Sequence, residues 1–373
     1  MNKFSSFAKR VLPELCRTLL MLALSLGIAI GIIAIASHEP AEAIRVFLTE
    51  PFADSYNLSR ILTEAIPLMF TGAAVCLMSR AGQFNMFVEG GFFLGAFVSA
   101  VLAPEFCREG ASPLIPFACI LLGTLAAVIL GYVPAKLKSS LGVDEFVSSL
   151  MLNYIVLWVV LYLVNHVVGD PDNTNVTKYL EDYAKLPFLN QDDELSSGFL
   201  LALAAAVLSG IFLFRTRWGY ALCMTGDNRG FADYAGIRTD RVVVYSQLIG
   251  AGLAGFGGGT YMLGNYYRFA WKSLPNYGFD GFVIAIMAKN NPFLVPFAAL
   301  FLAYLRVGAQ QMALYTDVQN EVIYIIQGVI IILFGAKFLA DRRRKKRREA
   351  AEAAPAAPAA EASAEPEGKE AAE

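Results

Sequence analysis

Long apolar segments dominate this sequence of 373 residues. Most of them approach the 20 or so residues that a helix needs to cross the hydrocarbon core of a bilayer. Hydrophobic residues make up 56% of the chain and charged residues 17%, against about 45–50% and about 25% in soluble domains. The sequence therefore predicts an all-α polytopic membrane protein with about ten transmembrane helices. They cover residues 15–36, 61–79, 84–103, 113–134, 146–168, 198–215, 241–264, 277–289, 293–309 and 321–340.

Two of these segments allow more than one interpretation. Segment 15–36 follows Lys3, Lys9 and Arg10 and resembles a signal peptide, but its apolar part is longer than usual and no small-residue cleavage site follows. We expect it to stay as the first span. Segment 277–289 is short and contains Asp280, so it either spans the membrane or re-enters it beside protein or water.

Basic residues predict the orientation, because they concentrate in cytoplasmic loops. Arg80, Lys136, the arginines of loop 216–240 and the run 342–348 fall on one side of the ten segments, and the acidic loops fall on the other. Both termini are therefore expected in the cytoplasm. The predicted regions are a cytoplasmic N-terminus (1–14), a permease domain (15–340) with an extracytoplasmic loop (169–197), and a tail (341–373). The tail is basic and then rich in Ala, Glu and Pro, which predicts a disordered segment anchored to anionic membrane lipid and not a nucleic-acid site.

Motifs for chemistry are missing from the sequence. It has no GxxxxGK[ST], HExxH or GxSxG pattern, and its five cysteines have no paired spacing. We expect a transport subunit and not an enzyme, with no catalytic residue, no metal and no cofactor on this chain. A GxGxxG string does occur, but it lies inside an apolar span, where small residues predict close helix packing. The packing residues are Gly250, Gly252, Gly255 and Gly259.

Three polar stretches are candidates for a substrate pathway. Phe84, Asn85 and Glu89 begin an apolar segment, where Glu89 either stays hydrated at the interface or borders a polar pathway. Glu145, Ser149 and Asn153 recur every four residues and form one helical stripe, which either joins helices or wets a pathway. Tyr277, Phe279 and Asp280 either meet a ring-bearing substrate or belong to an interfacial aromatic belt.

The loop from Arg217 to Ile237 is too polar to span. Its composition predicts one or two short helices across the membrane face, with Asp227 or Asn228 as a helix cap. Such helices serve either as a connector or as a docking site for a soluble partner.

Five motifs, in the same order over residues 60–340, resemble those of one family. The chain resembles the permease subunits of bacterial ABC importers for nucleosides and simple sugars, and more broadly the ribose and branched-chain amino-acid permeases. Met86, Phe87, Gly91, Ala288 and Lys289 depart from the family pattern, which leaves the substrate open. The matching stretches are Pro67–Gly72 with Arg80–Gly90, Glu145–Tyr154, Gly226–Ile237, Gly250–Gly257 and Tyr277–Ile286.

The resemblance implies a ribose-permease-like fold in the bacterial cytoplasmic (inner) membrane. It implies a separate ATPase subunit that carries ATP and Mg²⁺, an extracytoplasmic substrate-binding protein, and a second permease, with a shorter paralogue favoured over a second copy. It also implies that the 216–240 loop is the coupling element that inserts into the ATPase. The coupling residues are Gly226, Asn228, Ala232, Tyr234, Ala235, Gly236 and Ile237.

A nucleoside is the substrate that the motifs favour, and simple sugars or riboflavin are the alternatives. A secondary transporter that works alone is a further alternative. It would need ionisable groups at mid-membrane, whereas Glu89, Glu145 and Asp280 fall near predicted span ends.

Overall fold

The computed structural model describes residues 26–28, 30–34, 37–106, 114–171, 173–190, 195–318, 325 and 328–329. The predictions for 1–14 and 341–373, and most of spans 15–36 and 321–340, lie outside these residues. The described chain is mostly helical. Its α-helices are α1 (Pro40–Thr49), α2 (Ser55–Arg80), α3 (Phe87–Phe106), α4 (Leu114–Leu141), α5 (Glu145–His166), α6 (Gly198–Arg215), α7 (Arg217–Asp227), α8 (Arg229–Tyr234), α9 (Thr239–Asn265), α10 (Tyr277–Met287) and α11 (Val295–Tyr315).

Seven helices in the described part are long and apolar enough to cross a membrane, namely α2 to α6, α9 and α11. Each lies over one of the segments that the hydropathy pattern predicts. Arg80, Arg215 and Arg241 lie at or beside the ends of α2, α6 and α9 that meet on one side of the bundle. We call this side the arginine-rich end.

Helix α10 is too short to span a bilayer. Its 11 residues extend about 16 Å at 1.5 Å per residue, roughly half of the hydrocarbon thickness. A tight turn follows, in which Lys289 and Asn290 adopt positive φ angles. The Asn291 side chain then accepts a hydrogen bond from Phe293 N and caps the 3₁₀ turn that leads into α11. The predicted segment 277–289 is therefore a half-length helix.

The core lies around α2, α3 and α9. Most of the apolar window of α2 is buried inside the protein, and α9 packs closely along both α3 and α4. A Cβ atom added at Gly95 of α3 would lie 2.1 Å from the carbonyl oxygen of Gly255, so these two backbones touch. The four predicted packing glycines of α9 face neighbouring helices in the same way: Gly250 faces Met78, Gly252 faces Val128, Gly255 faces Ala127, and Gly259 faces Ser99 and Ile120.

A small antiparallel hairpin departs from the all-α prediction. Its strands β1 (Phe188–Asn190) and β2 (Leu195–Ser196) lie within the polar stretch 169–197. The same stretch is tied to the chain that follows α9, because Leu180 N donates to Tyr267 O at 2.7 Å and Thr177 N donates to Phe269 O at 3.1 Å. These bonds satisfy backbone N–H and C=O groups in a polar stretch that forms no long helix.

Candidate functional site

The connection between α2 and α3 is an irregular, largely buried segment. Gly82 has a φ of +72°, a conformation that glycine adopts without steric cost. The chain then runs back into the bundle before α3 begins at Phe87. Gln83, Asn85 and Met86 are buried, so their polar groups need partners inside the protein.

The polar stripe on α5 supplies many of these partners. Ser149 Oγ accepts a hydrogen bond from Met86 N at 2.9 Å. Asn153 donates to Met86 O at 2.9 Å and accepts from Gly90 N at 3.0 Å. Glu145 accepts from Phe84 N at 3.4 Å and pairs with Lys138 at 2.6 Å. Of the two interpretations of the stripe, the contacts favour the joining of helices.

A second buried cluster involves a residue that the sequence analysis missed. Gln247 on α9 accepts a hydrogen bond from the Asn85 amide at 2.6 Å and donates to Gln83 at 3.3 Å. Asn85 also accepts from Phe87 N at 2.7 Å, which satisfies a donor of the first turn of α3. The sequence feature that could have identified Gln247 is an amide side chain inside an apolar run.

Glu89 caps the buried start of α10. Its side chain is 1% exposed, and its two carboxylate oxygens accept from Asn276 N at 2.6 Å and Gly278 N at 2.5 Å. These N–H groups belong to the N-terminus of α10, where the helix dipole favours a negative charge. Glu89 also lies in the first turn of α3, so two helix N-termini stabilise one carboxylate.

This carboxylate lies deeper in the bundle than its position in the sequence implies. A Cβ atom at Gly281 would lie 2.8 Å from the backbone of Thr71, and Thr71 is about 13 Å from Arg80 along α2 at 1.5 Å per residue. Gly278 and Glu89 lie about one turn further from the arginine-rich end. The expectation that Glu89 and Asp280 fall near span ends is therefore wrong for this bundle, because the half-length α10 and the re-entering segment place them inside it.

Buried charges continue along α10. Arg306 on α11 donates to Asp280, and its guanidinium lies 5.6 Å from the centre of the Tyr277 ring. The Tyr277 and Tyr261 hydroxyls are 3.1 Å apart. Glu64 on α2 lies close to Tyr261 and Arg306. The sequence analysis identified Tyr277 and Asp280 but missed Glu64, Tyr261 and Arg306; charges inside apolar runs were the signal for Glu64 and Arg306.

Two of the eight candidate pathway residues have exposed side chains. Phe84 is 48% exposed and Phe279 is 40% exposed, whereas the other six are buried. The Phe84 ring lies 5.6 Å from that of Phe146 and 4.5 Å from that of Phe282. Phe282 is nearly one helical turn after Phe279 on α10, so the two lie on the same side of that helix. We refer to Phe84, Phe146, Phe279 and Phe282, with the neighbouring Asn276, as the aromatic surface. The buried candidates, Asn85, Glu89, Ser149, Asn153, Tyr277 and Asp280, lie behind it.

The predicted coupling loop forms two short helices, as expected. Asn228 is the predicted cap: its side chain accepts a hydrogen bond from Phe231 N at 3.0 Å at the start of α8. Ala232 is fully buried and Tyr234 is 94% exposed. The loop is joined to the start of α9, because Arg229 pairs with Asp240 and Thr239 donates to Asp233, both at 2.6 Å. Ala235, Gly236 and Ile237 complete the turn that follows α8.

The end of α7 touches the connection between α2 and α3. A Cβ atom at Gly226 would lie 2.0 Å from Arg80 O, and one at Gly82 would lie 3.3 Å from the Cα atom of Gly226. The two backbones are therefore in contact without any side chain between them. This contact joins the α7–α8 loop to the segment that carries Asn85 and Glu89.

Among the residues that the structure describes, no three His, Cys, Asp or Glu side chains cluster as a metal site would require. The buried carboxylates are occupied by backbone N–H groups, by Arg306 or by Lys138. The site is therefore a set of polar contacts between helices, bordered by an aromatic surface.

Comparisons with known proteins agree with this description. A family model described as the permease component of branched-chain amino acid transport systems matches residues 57–335. The guanosine ABC transporter permease protein NupP of Bacillus subtilis is 28% identical over 337 residues, which cover 87% of this chain and 96% of the relative. A glucose ABC transporter permease of Haloferax volcanii is 28% identical over 319 residues, which cover 82% of this chain and 83% of the relative.

Another relative in Bacillus subtilis, the guanosine ABC transporter permease protein NupQ, is 25% identical over 284 residues, which cover 73% of this chain and 88% of the relative. No solved structure matches the chain. The family match covers about three quarters of the chain, and the relatives are transport components. The chain therefore belongs to the family of branched-chain amino acid transport system permease components, and it is a permease subunit of the ABC importer type.

Proposed function

We propose that this chain forms the pathway by which an ATP-driven importer moves a nucleoside across the bacterial cytoplasmic membrane. The names of its relatives support the substrate class, since they include guanosine and nucleoside permeases that match most of the chain. Glucose, the substrate in the name of another relative, is the competing ligand for the test below.

The aromatic surface formed by Phe84 and Phe279 is the observation that carries the proposal. Exposed phenyl rings beside the polar backbone and side chain of Asn276 suit a planar base joined to a hydroxyl-bearing sugar, because aromatic rings stack well on flat π systems. In this proposal the six buried candidates do not touch the substrate. They hold the segment 83–90 and the start of α10 in place.

In this proposal, coupling between the ATPase and the substrate pathway depends on the contact between Gly226 and Gly82. We assign Gly226, Asn228, Ala232, Tyr234, Ala235, Gly236 and Ile237 to the surface that meets a partner ATPase, with Tyr234 as its most exposed member. Movement of α7 and α8 would then shift the α2–α3 connection, and with it Glu89 and the N-terminus of α10. No side chain intervenes at the contact, so the displacement is not absorbed by rotamer changes.

The assignment of this chain as an importer permease also implies the other subunits of the complex. The partners are an ATPase that binds ATP and Mg²⁺, an extracytoplasmic binding protein and a second permease. Similarity to both NupP and NupQ of one organism supports a shorter paralogue as the second permease. The basic residues at the arginine-rich end support a cytoplasmic position for both termini, loop 216–240 and the tail 341–373, with loop 169–197 outside.

The test is uptake of labelled guanosine into cells that express the complete importer, with unlabelled glucose as competitor. Phe279→Leu should raise the KM for guanosine about tenfold, since loss of a stacking ring costs about 1–3 kcal/mol per base. Phe297→Leu is the matched control, because Phe297 is 71% exposed on α11 and lies outside the aromatic surface. Equal KM values for both variants would refute the role of this surface, and competition by glucose at guanosine-like concentrations would refute the substrate class.

A further inference from the structure

An apolar groove with a cationic rim lies at the arginine-rich end, between the coupling loop and the start of α9 and apart from the aromatic surface. Its cavity has a volume of about 370 Å³, within the range of about 300–1,000 Å³ that is typical of ligand pockets. Phe212 of α6, Trp218 and Leu222 of α7, and Val242, Tyr245, Ser246 and Ile249 of α9 line it.

A second cavity of about 280 Å³ continues the groove to the rim. It shares Trp218 and Val242 with the first cavity. Arg217, Arg238 and Arg241 contribute to its walls. All three side chains are exposed, and within the described part of the chain none of them has a recorded ion pair. The groove is therefore apolar at its inner end and positively charged at its opening.

These arginines lie near the N-termini of α7 and α9, where a positive charge is unfavourable. Arg217 is the first residue of α7, Arg238 is the N-cap residue of α9, and Arg241 lies in the first turn of α9. A positive charge near a helix N-terminus is unfavourable, and a negative charge there is favourable. Asp240, the acidic residue in the first turn of α9, is already paired with Arg229 at 2.6 Å. An external anion at the rim would therefore interact favourably with three guanidinium groups and two helix N-termini.

The inner end of the groove belongs to the hydrocarbon region. Helix α6 has 18 residues and needs almost its whole length to cross the bilayer core, which places Phe212, three residues before its end, at or inside the hydrocarbon boundary. Ile249 is about 12 Å from Arg241 along α9 at 1.5 Å per residue. Trp218 and Tyr245, whose ring centres are 5.4 Å apart, lie between the two ends, where amphipathic aromatic rings are enriched in membrane proteins.

We propose that this groove is a binding site for an anionic phospholipid. An acyl chain fills the cavity between Phe212 and Ile249, and the phosphate lies among Arg217, Arg238 and Arg241. Guanidinium groups bind phosphate oxygens in bidentate geometry, and basic pockets between helices at a membrane surface favour anionic headgroups. A soluble ATPase explains the charged rim but not an apolar groove that extends toward mid-membrane.

Native mass spectrometry of the full-length chain in a mild detergent tests the headgroup contacts. Phosphatidylglycerol and phosphatidylcholine with identical acyl chains are titrated separately. Phosphatidylglycerol should bind one site at least tenfold more tightly than phosphatidylcholine. Arg238→Gln and Arg241→Gln should each weaken phosphatidylglycerol binding about tenfold and leave phosphatidylcholine binding unchanged.

The matched control is Lys136→Gln, which removes an exposed cation of α4 at the same end without touching the groove. Equal binding of the two lipids, or equal effects of the arginine variants and the control, would overturn the proposal. Arginine variants that lose a co-purifying ATPase while they retain phosphatidylglycerol binding would identify the rim as a protein contact and also overturn it.

Fluorescence tests the acyl-chain contact. Phosphatidylglycerol brominated along its chains should quench Trp218, measured as the part of the quenching that Trp218→Phe removes. Trp158 is 68% exposed on α5 and is present in both proteins, so its quenching is common to the two measurements. Ile249→Trp should fill the inner end and reduce binding about tenfold. Where Ile249→Trp fails to fold, the quenching of Trp218 in the wild-type chain decides alone, and quenching no greater than for a brominated phosphatidylcholine would reject the groove as a lipid site.

Discussion

Replacement of Glu89 by Gln isolates the interaction between α3 and α10. The wild-type carboxylate accepts the backbone N–H groups of Asn276 and Gly278 from a buried position. Glutamine keeps one acceptor oxygen and places an NH₂ group beside the other N–H, so one buried donor loses its partner. A buried donor without a partner costs about 1–3 kcal/mol, and the lost charge removes a further 0.3–1 kcal/mol or so of interaction with the helix dipole.

The assay is hydrogen exchange of the purified chain in detergent, followed by mass spectrometry of peptides that cover α10. The combined loss of about 1.3–4 kcal/mol in the free energy of opening should speed exchange over residues 276–281 about 8- to 700-fold, since 1.4 kcal/mol corresponds to a factor of ten. Exchange in α9 should be unchanged, because the hydrogen bonds that the Glu89 carboxylate accepts come from the start of α10.

Glu105→Gln provides the control on the same helix. Glu105 lies near the other end of α3, where its exposed side chain pairs with Lys178 at 2.6 Å. An exposed ion pair contributes little to stability, so exchange in α10 should match the wild type. If Glu89→Gln left exchange over 276–281 within twofold of that control, the carboxylate would not hold the start of α10 and the coupling scheme would lose its central link.

Two further predictions concern the cytoplasmic face in the proposed topology. Gly236 has a φ of +83° and open space around it, so Gly236→Arg should preserve membrane insertion but abolish ATPase co-purification and uptake. Gly142→Arg is the control, at a similarly open glycine with a φ of +66°, and should keep both co-purification and uptake. Equal loss in the two variants would contradict the assignment of α7 and α8 as the ATPase contact. Deletion of Glu349–Glu373 should leave the uptake rate within twofold of the wild type, because an Ala/Glu/Pro-rich tail buries no core, and a large loss of uptake would mean that the tail binds a partner.

Hydropathy and helix periodicity predicted most of the described fold. The seven long helices coincide with predicted spans, and the short segment at 277–289 was recognised as exceptional from its length, its glycines and Asp280. The stripe of Glu145, Ser149 and Asn153 was visible too, because residues four apart share a helix face. Local sequence determines these features, since each depends on neighbours within two or three turns.

Partners that are distant in the sequence could not be predicted in this way. Glu89 and Asn276 are 187 positions apart, and no periodicity in either helix indicates that they meet. A single charge in an apolar run shows that a side chain avoids lipid, but it does not show which partner neutralises it. Arg306 illustrates this limit, because its pairing with Asp280 depends on a turn at Lys289 and Asn290 that reverses the chain between α10 and α11.

The way α10 is held explains how one short helix can link the two regions of the proposed mechanism. Close backbone contacts fasten it to two neighbours: a Cβ atom at Gly281 would collide with Thr71 of α2, and one at Gly278 would collide with Glu89 of α3. A helix in such contact cannot slide alone, because packed interiors do not deform continuously. Displacement of the α2–α3 connection at Gly82 must therefore carry α10 with it, together with Phe279 on its exposed face. The ion pair between Asp280 and Arg306 then resists separation of α10 from α11, since breaking it would leave two largely buried charges without partners. In the proposed mechanism, loop movement at the arginine-rich end would therefore reach the aromatic surface through backbone contacts, and the ion pair would limit how far α10 moves.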